Sequence, residues 1–389
     1  MFKIKQNRII IPIVFLLLLI AYLAVLSVIP DGYNDMREHA AFAREMLTGI
    51  RPTAGNFLFY WLVNIFSFFS TNIRLSEISL CFLLAFATTY RYYLTQKKIT
   101  DVVYYNQPNH KNYWISVLAA FSLLFVFAIP IPSYSLDEFL YIGNFVPNVW
   151  HNSTVLFVFP FALLLFEQSY KQLTHFNTKR NVLIILLIFL NVFIKPSYFF
   201  VFVCVYPLFL LIKYKLKKEF WQGIIPVVLG LFFLVFEFWS IYLTKDPFII
   251  EKSSVIFQPF YSSPLFPDLW PMPIAFFFSL FFPILYTLFN LSKVKNSQLF
   301  WFSTLSFIVS VFIYLFIAET GPRATHGNFY WQIVICTWIS FFVALLALLK
   351  DFKIEGKTLK NKFLMSTYFL QFLMGIFYFV RLVLTGNYY

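Results

Sequence analysis

Almost wholly apolar runs recur along the whole chain, separated by short polar links. Most are about 17 to 25 residues long, enough for a helix to cross a hydrocarbon core of roughly 30 Å. The pattern predicts spanning helices near 9–29, 75–94, 113–130, 152–167, 221–243, 271–290, 299–318, 328–349 and 363–384. Two shorter runs, 182–194 and 198–212, read as an out-and-back pair broken at Lys195-Pro196-Ser197. The expected architecture is therefore all-α, a polytopic helical membrane protein with about eleven crossings, within a range of roughly 10 to 13. The first run, Ile9 to Val28, follows Lys3, Lys5 and Arg8 but is too long for a signal peptide and lacks a small-residue cleavage site, so it reads as a retained anchor.

Charge gives the expected orientation. Lysine and arginine gather in the links Arg91 to Lys111, Lys171 to Arg180, Lys213 to Lys218, Lys293 with Lys295, and Lys350 to Lys362. Basic residues beside spanning helices stay on the cytoplasmic side, so these links and the N-terminus are expected inside and the C-terminus outside. The acids Asp31, Asp35, Glu38, Glu45, Glu77, Asp137, Glu138, Asp246, Glu251, Asp268 and Glu319 then fall outside. This parity holds only if the apolar stretch Asn56 to Ser70 lies at the outer interface, as its Asn56, Tyr60, Trp61 and Asn64 permit; if it crosses, there are twelve spans. The whole chain, 1–389, reads as a single integral membrane domain without internal repeats, with outer loops at 29–74, 131–151, 244–271 and 319–328.

Composition agrees: 60% of residues are hydrophobic and 12% charged, against about 45–50% and about 25% in soluble domains. The net charge of +13 is a topology signal rather than a nucleic-acid footprint, because the basic residues sit in the links. Cys81, Cys204 and Cys336 lie far apart in apolar segments and lack the spacing of a zinc or redox site. No metal site is expected from them.

Against this background residues 30–52, PDGYNDMREHAAFAREMLTGIRP, carry eight acidic, basic or histidine side chains. Asn34 or Asp35 can cap a helix, Met36, Ala40, Ala43 and Leu47 recur at helical spacing, and Gly49 and Pro52 end it, which predicts an amphipathic helix in the first outer loop. Asp35 and His39 are four apart and so share one face. A carboxylate beside an imidazole suits proton abstraction from a hydroxyl; the plainer alternative is a solvated interfacial helix.

An acidic first outer loop straight after the first spanning helix, with Asp35-x-x-x-His39-x-x-x-Ala43 followed by Gly49-x-x-Pro52, resembles the GT-C superfamily of membrane glycosyltransferases. The likeness covers about 50 residues and the general helix layout. It implies transfer of a sugar from a polyprenyl-phosphate or polyprenyl-diphosphate carrier to a glycan or lipid-linked acceptor on the outer face. It also implies that the loop aspartate acts as general base or orients the acceptor, a role that falls on Asp35, with Asp31 in reserve.

Three further outer stretches are unusually polar. Ser135 to Thr154 carries Asp137, Glu138, Asn144, Trp150, His151 and Asn152, which fit either a sugar subsite or an aromatic belt with helix caps. Lys195 stands at the break between two short runs, where interrupted backbone must line a cavity and a carrier phosphate is a natural partner; snorkelling to the interface is the alternative. Glu319 to Gln332 offers Glu319, Arg323, His326 and Asn328 around a glycine- and proline-shaped turn, with Arg323 able to clamp phosphate.

Two classes of function compete. A glycosyltransferase would hold the carrier phosphate with Arg323, His326 and Lys195 and prepare the acceptor with Asp35. A flippase or transporter for a lipid-linked saccharide would show midplane charges and internal symmetry; only Glu237 reads as a midplane charge, which favours the enzyme. A polysaccharide polymerase or ligase would need a large late outer loop, for which Thr244 to Pro271 and the Arg323 loop are the candidates. No nucleotide loop or HExxH pattern is present, and no cofactor is expected, although Asp31 and Asp35 leave room for a divalent cation. With membrane lipids as surroundings and no nucleic-acid partner, the expected location is a bacterial plasma membrane.

Overall fold

The computed structural model describes residues 2–103, 110–131, 133–243, 253–260 and 271–389. In chain order its helices are α1 Phe2–Val28, α2 Asp35–Leu47, α3 Leu58–Phe66, α4 Ile73–Val103, α5 His110–Ser122, α6 Ser133–Asp137, α7 Ser153–Thr174 and α8 Thr178–Ile194. They continue as α9 Ser197–Tyr214, α10 Lys218–Phe238, α11 Met272–Ser279, α12 Phe281–Phe289, α13 Leu291–Lys295, α14 Gln298–Phe316, α15 Trp331–Ile354 and α16 Leu359–Thr385. A π-helical turn, Trp239–Leu243, extends α10. The protein is an all-α polytopic bundle.

Among the described residues eight helices are long and apolar enough to cross a membrane: α1, α4, α7, α9, α10 with its π turn, α14, α15 and α16. The pair α11 and α12, bent by 72°, would make a ninth. Two of the runs read as crossings form shorter helices, α5 and α8, of 13 and 17 residues, or about 20 and 25 Å. The stretch 56–70 yields only the nine-residue α3, about 13 Å long.

The expected span 113–130 stops being helical after Ser122, and side chains satisfy the freed backbone as a buried interruption requires. Asn148 Nδ2 donates to the carbonyls of Leu123 and Val126 at 3.1 and 2.9 Å, and Trp338 Nε1 donates to Leu123 at 2.8 Å. Gln371 donates to Phe127, Phe278 and Ser279 and accepts from the amide of Phe282, stitching this break to the bend between α11 and α12. One turn along α16, Gly375 lies so close to Phe125 that a Cβ would sit 1.3 Å from its carbonyl oxygen. Only glycine allows this crossing.

α7 and α15 run through the middle of the bundle, whereas α1, α10 and α16 turn large apolar faces outward. Hydrogen bonds tie the elements into two ends. At the basic end Asn7 accepts from Gln96 and Tyr113, Lys98 pairs with Glu167 at 2.8 Å, and Lys293 pairs with Asp351 at 2.5 Å. At the other end lie α2, α3, the α8–α9 break and the residues around 317–330. A two-stranded antiparallel ribbon that the hydrophobic pattern does not predict also sits here: β1 Val255–Phe257 pairs with β2 Ile317–Glu319, Val255 facing Glu319.

Candidate functional site

The α2 helix is placed by its cap. Asn34 Oδ1 accepts from the amide of Arg37, while its Nδ2 donates to Leu26 and Ile29 at the end of α1; such a cap contributes about 1 kcal/mol. Met36, Ala40, Ala43 and Met46 are buried, and Asn64 of α3 donates to the carbonyl of Ala43 at 2.9 Å. Asp35 and His39 project together from this docked helix. Asp35 Oδ2 accepts from the backbone N–H of Ser153 at 2.9 Å, at the first turn of α7, and His39 Nε2 lies 3.4 Å from Oδ1. His39 Nδ1 is 2.8 Å from the hydroxyl of Tyr60 on α3. Burial works against the Asp35 charge, but His39, the Ser153 amide and the nearby His151 outweigh it and hold the carboxyl well below the usual range. Burial pushes the Tyr60 hydroxyl up, so it stays a neutral donor.

A second polar group lines a cavity of about 340 Å³ at the same end. The dipeptide Lys195-Pro196 creates it: a residue before proline is forced out of the helical region, and Lys195 is extended at φ −165°, ψ 116°, between α8 and α9. Lys195 faces the cavity with its ammonium 5.7 Å from the ring centre of Trp331. Burial pushes this amine down to about 8, with Asp35 pulling the other way and Arg323 adding to the fall. Glu319 at the end of β2 is held by three donors: Tyr242 donates to Oε1, Arg323 Nε donates to the same oxygen at 2.9 Å, and Asn328 Nδ2 donates to Oε2 at 2.7 Å. Arg323 also rests over the Tyr242 ring at 5.5 Å, so its guanidinium plane is held from two sides. Its terminal nitrogens make no hydrogen bond among the described residues. Burial disfavours its charge, but Glu319 more than compensates.

The remaining walls come from Asn56, the first turn of α9, and α10 with its π turn through Leu234, Val235, Phe238 and Ile241. Glu237, on α10, is 6% exposed and makes no hydrogen bond or ion pair among the described residues. It lies six residues before Leu243, the last described residue of the π turn, about 9 Å along the axis.

The structure brings together Asp35 with His39, and Lys195, Arg323, Asn328 and Glu319 with each other. The two groups feel one another: Asp35 raises the Lys195 amine, and Arg323 acts on the Tyr60 hydroxyl. His326, exposed on the turn Gly321–His326, stands beside Arg323. Other expected residues lie elsewhere. Asp31 is paired with Arg37, which points to the opposite side of α2 from Asp35, so the two carboxylates do not converge on a cation. Asp137 and Glu138 are exposed around α6. Trp150 is buried between Tyr22, Phe125 and Phe379 and has no face open to a sugar. Asn152 caps α7, its Oδ1 accepting from Val155. His151 is buried and stacked on Tyr388 at 4.1 Å, and burial pushes its imidazole down to about 4. It shapes the wall behind Asp35. Loop 244–271 falls mostly outside the described residues.

Tyr60, Tyr242 and Asn56 were not singled out from the sequence as site residues, because aromatic and amide side chains abound in these segments. Comparison of the chain with protein-family models and with curated proteins finds no match.

Proposed function

We propose that the protein is a membrane glycosyltransferase that takes a sugar from a polyprenyl-(di)phosphate-linked donor and transfers it to a glycan or lipid-linked acceptor on the outer face of the membrane, as the GT-C resemblance implies. The observation that carries this reading is the convergence of Lys195 and Arg323 on one cavity whose side wall is the apolar flank of α10. Val235 in that wall is also 65% exposed on the outside of the bundle. A carrier can thus keep its chain in the lipid along α10 while its phosphate meets the two cations, Arg323 through two parallel hydrogen bonds and Lys195 as a point charge.

Eleven crossings fit this reading. The bonds at the two bundle ends alternate along the chain, α8 running from Asn181 against Gln222 to Ile194 against Asn56, and α5 starting against Asn7. Counting α5, α8 and the bent pair as passages puts the lysine-rich links on one side, the cytoplasmic side by the positive-inside rule, and the cavity on the other.

In the reaction the acceptor hydroxyl attacks the anomeric carbon, the bond from that carbon to the phosphate oxygen breaks, and the electron pair leaves with the phosphate. The growing charge on that oxygen strengthens the bonds from Arg323 and Lys195. The hydroxyl proton passes to the Asp35–His39 pair. Because Asp35 is held so strongly ionised, it serves chiefly to orient His39 and the acceptor hydroxyl rather than to keep the proton. The test is purified protein in detergent, a panel of synthetic farnesyl-phosphate hexoses and a membrane lipid extract as acceptor, with glycosylated product read by mass. Product formation is expected; none across the panel removes the reading.

A further inference from the structure

Two buried carboxyl groups stand at the cavity, and their situations differ: Glu237 lines it, whereas Glu319 lies behind the lining residues Arg323 and Asn328. Glu319 accepts three hydrogen bonds from Tyr242, Arg323 and Asn328, which tie it into the cavity's frame. Glu237 is 6% exposed, points into the cavity and has no partner among the described residues. A carboxylate left this way is costly, and a bound group that donates to it recovers the cost. Its surroundings are fixed. Gly55 of the first outer loop lies against it so closely that a Cβ there would stand 2.9 Å from the Glu237 carbonyl oxygen and 3.3 Å from its Cγ. The loop therefore closes the back of Glu237 and leaves the cavity as its open side.

We propose that Glu237 is a substrate-binding residue that accepts hydrogen bonds from the hydroxyl groups of the donor sugar and so selects the sugar, resting on the reading of the cavity as a carrier-phosphate site. The charges lining the cavity set this division of labour. Lys195 and Arg323 are the cavity's cations: they attract the phosphate and disfavour a further cation, so the group that meets the unpartnered Glu237 carboxyl is a neutral donor. A sugar joined to a phosphate presents that pair: an anion with hydroxyls one ring away. The volume agrees, since about 340 Å³ lies at the small end of ligand pockets and suits a headgroup without its chain.

The experiment measures binding of farnesyl phosphate and of farnesyl-phosphate hexoses to the purified full chain in detergent, by tryptophan fluorescence, for the wild type and Glu237→Gln. Glutamine keeps the volume and removes the charge. The variant is expected to lose about tenfold or more in affinity for the hexose conjugate the wild type prefers, because the amide replaces one acceptor oxygen by a donor and leaves a sugar hydroxyl unmatched. Farnesyl phosphate should bind the variant as well as the wild type or better, and this also reports that the variant is folded. Equal losses for both ligands, or no loss for any hexose conjugate, would overturn the assignment. Failure of the wild type to bind even farnesyl phosphate would instead remove the carrier-phosphate reading, and the proposal with it.

Discussion

Arg323→Lys tests the phosphate clamp with the least disturbance to the rest of the fold. The arginine, which lines the cavity, is held by its Nε–H to Glu319 at 2.9 Å and by the ring of Tyr242, which leaves both terminal nitrogens without a hydrogen bond among the described residues. Lysine keeps the charge but has neither the plane nor the second parallel bond. The loss is then roughly one charge-assisted hydrogen bond, about 1.5–3 kcal/mol, or about 10- to 100-fold at 1.4 kcal/mol per decade. Because the phosphate gains charge as the sugar leaves, that loss should fall on kcat as well as kcat/KM. Glu319 keeps two of its three donors, Tyr242 and Asn328, and loses one charge-assisted bond, so stability should fall by about 1.5–3 kcal/mol. The assay is steady-state transfer from a farnesyl-phosphate hexose, with thermal unfolding of the same preparation as control. Wild-type kcat/KM in a folded Arg323→Lys protein would refute the clamp, and a rise in KM alone would refute its strengthening in the transition state.

Four further outcomes follow from the same geometry. Asp35→Asn should lower kcat by about 10²–10⁴, and because the carboxyl is held below its unfolded value, the stability it contributes is present at neutral pH and lost only as pH falls below about 4, so unfolding curves of wild type and variant should converge there. Affinity for a farnesyl-phosphate hexose, whose phosphodiester stays singly charged, should weaken as pH rises through about 8, where Lys195 loses its proton, and Lys195→Met should bind weakly with no such dependence; a pH-independent wild type would contradict this. Gly55→Ala, which forces a methyl against Glu237 and Ile241, should impair hexose-conjugate binding more than it lowers the unfolding temperature. A cysteine replacing the exposed Lys97 on α4 should be shielded from an impermeant thiol reagent in intact cells and one replacing Thr53 labelled; labelling at position 97 would place α3 across the membrane.

The sequence made the helices legible because a membrane span must satisfy its own backbone, which leaves long apolar runs as an unmistakable trace. The α2 helix was equally readable, since Asn34, the apolar spacing from Met36 to Ala43 and Gly49 carry its start, face and stop. The break after Ser122 was not, because the groups that compensate it, Asn148, Trp338 and Gln371, come from up to 250 residues away and a local pattern contains no sign of them. The β1–β2 ribbon escaped for the same reason. Within the site, Lys195 and Arg323 stood out as charges in apolar surroundings. Trp150 misled because an aromatic next to polar residues looks alike whether it meets a sugar or, as here, Tyr22, Phe125 and Phe379. Glu237 was visible as a lone acid in an apolar run, but its packing against Gly55 was not, because the first outer loop that covers it is remote in sequence.

The most direct test of the carrier-phosphate site is a structure of the purified protein determined with a bound farnesyl-phosphate hexose. The account predicts phosphate density within hydrogen-bond distance of both Lys195 Nζ and the terminal nitrogens of Arg323, the isoprenoid along Leu234, Val235 and Phe238, and the sugar against Glu237. Phosphate bound instead at the lysine-rich end of the bundle, or a cavity without phosphate at saturating ligand, would contradict it.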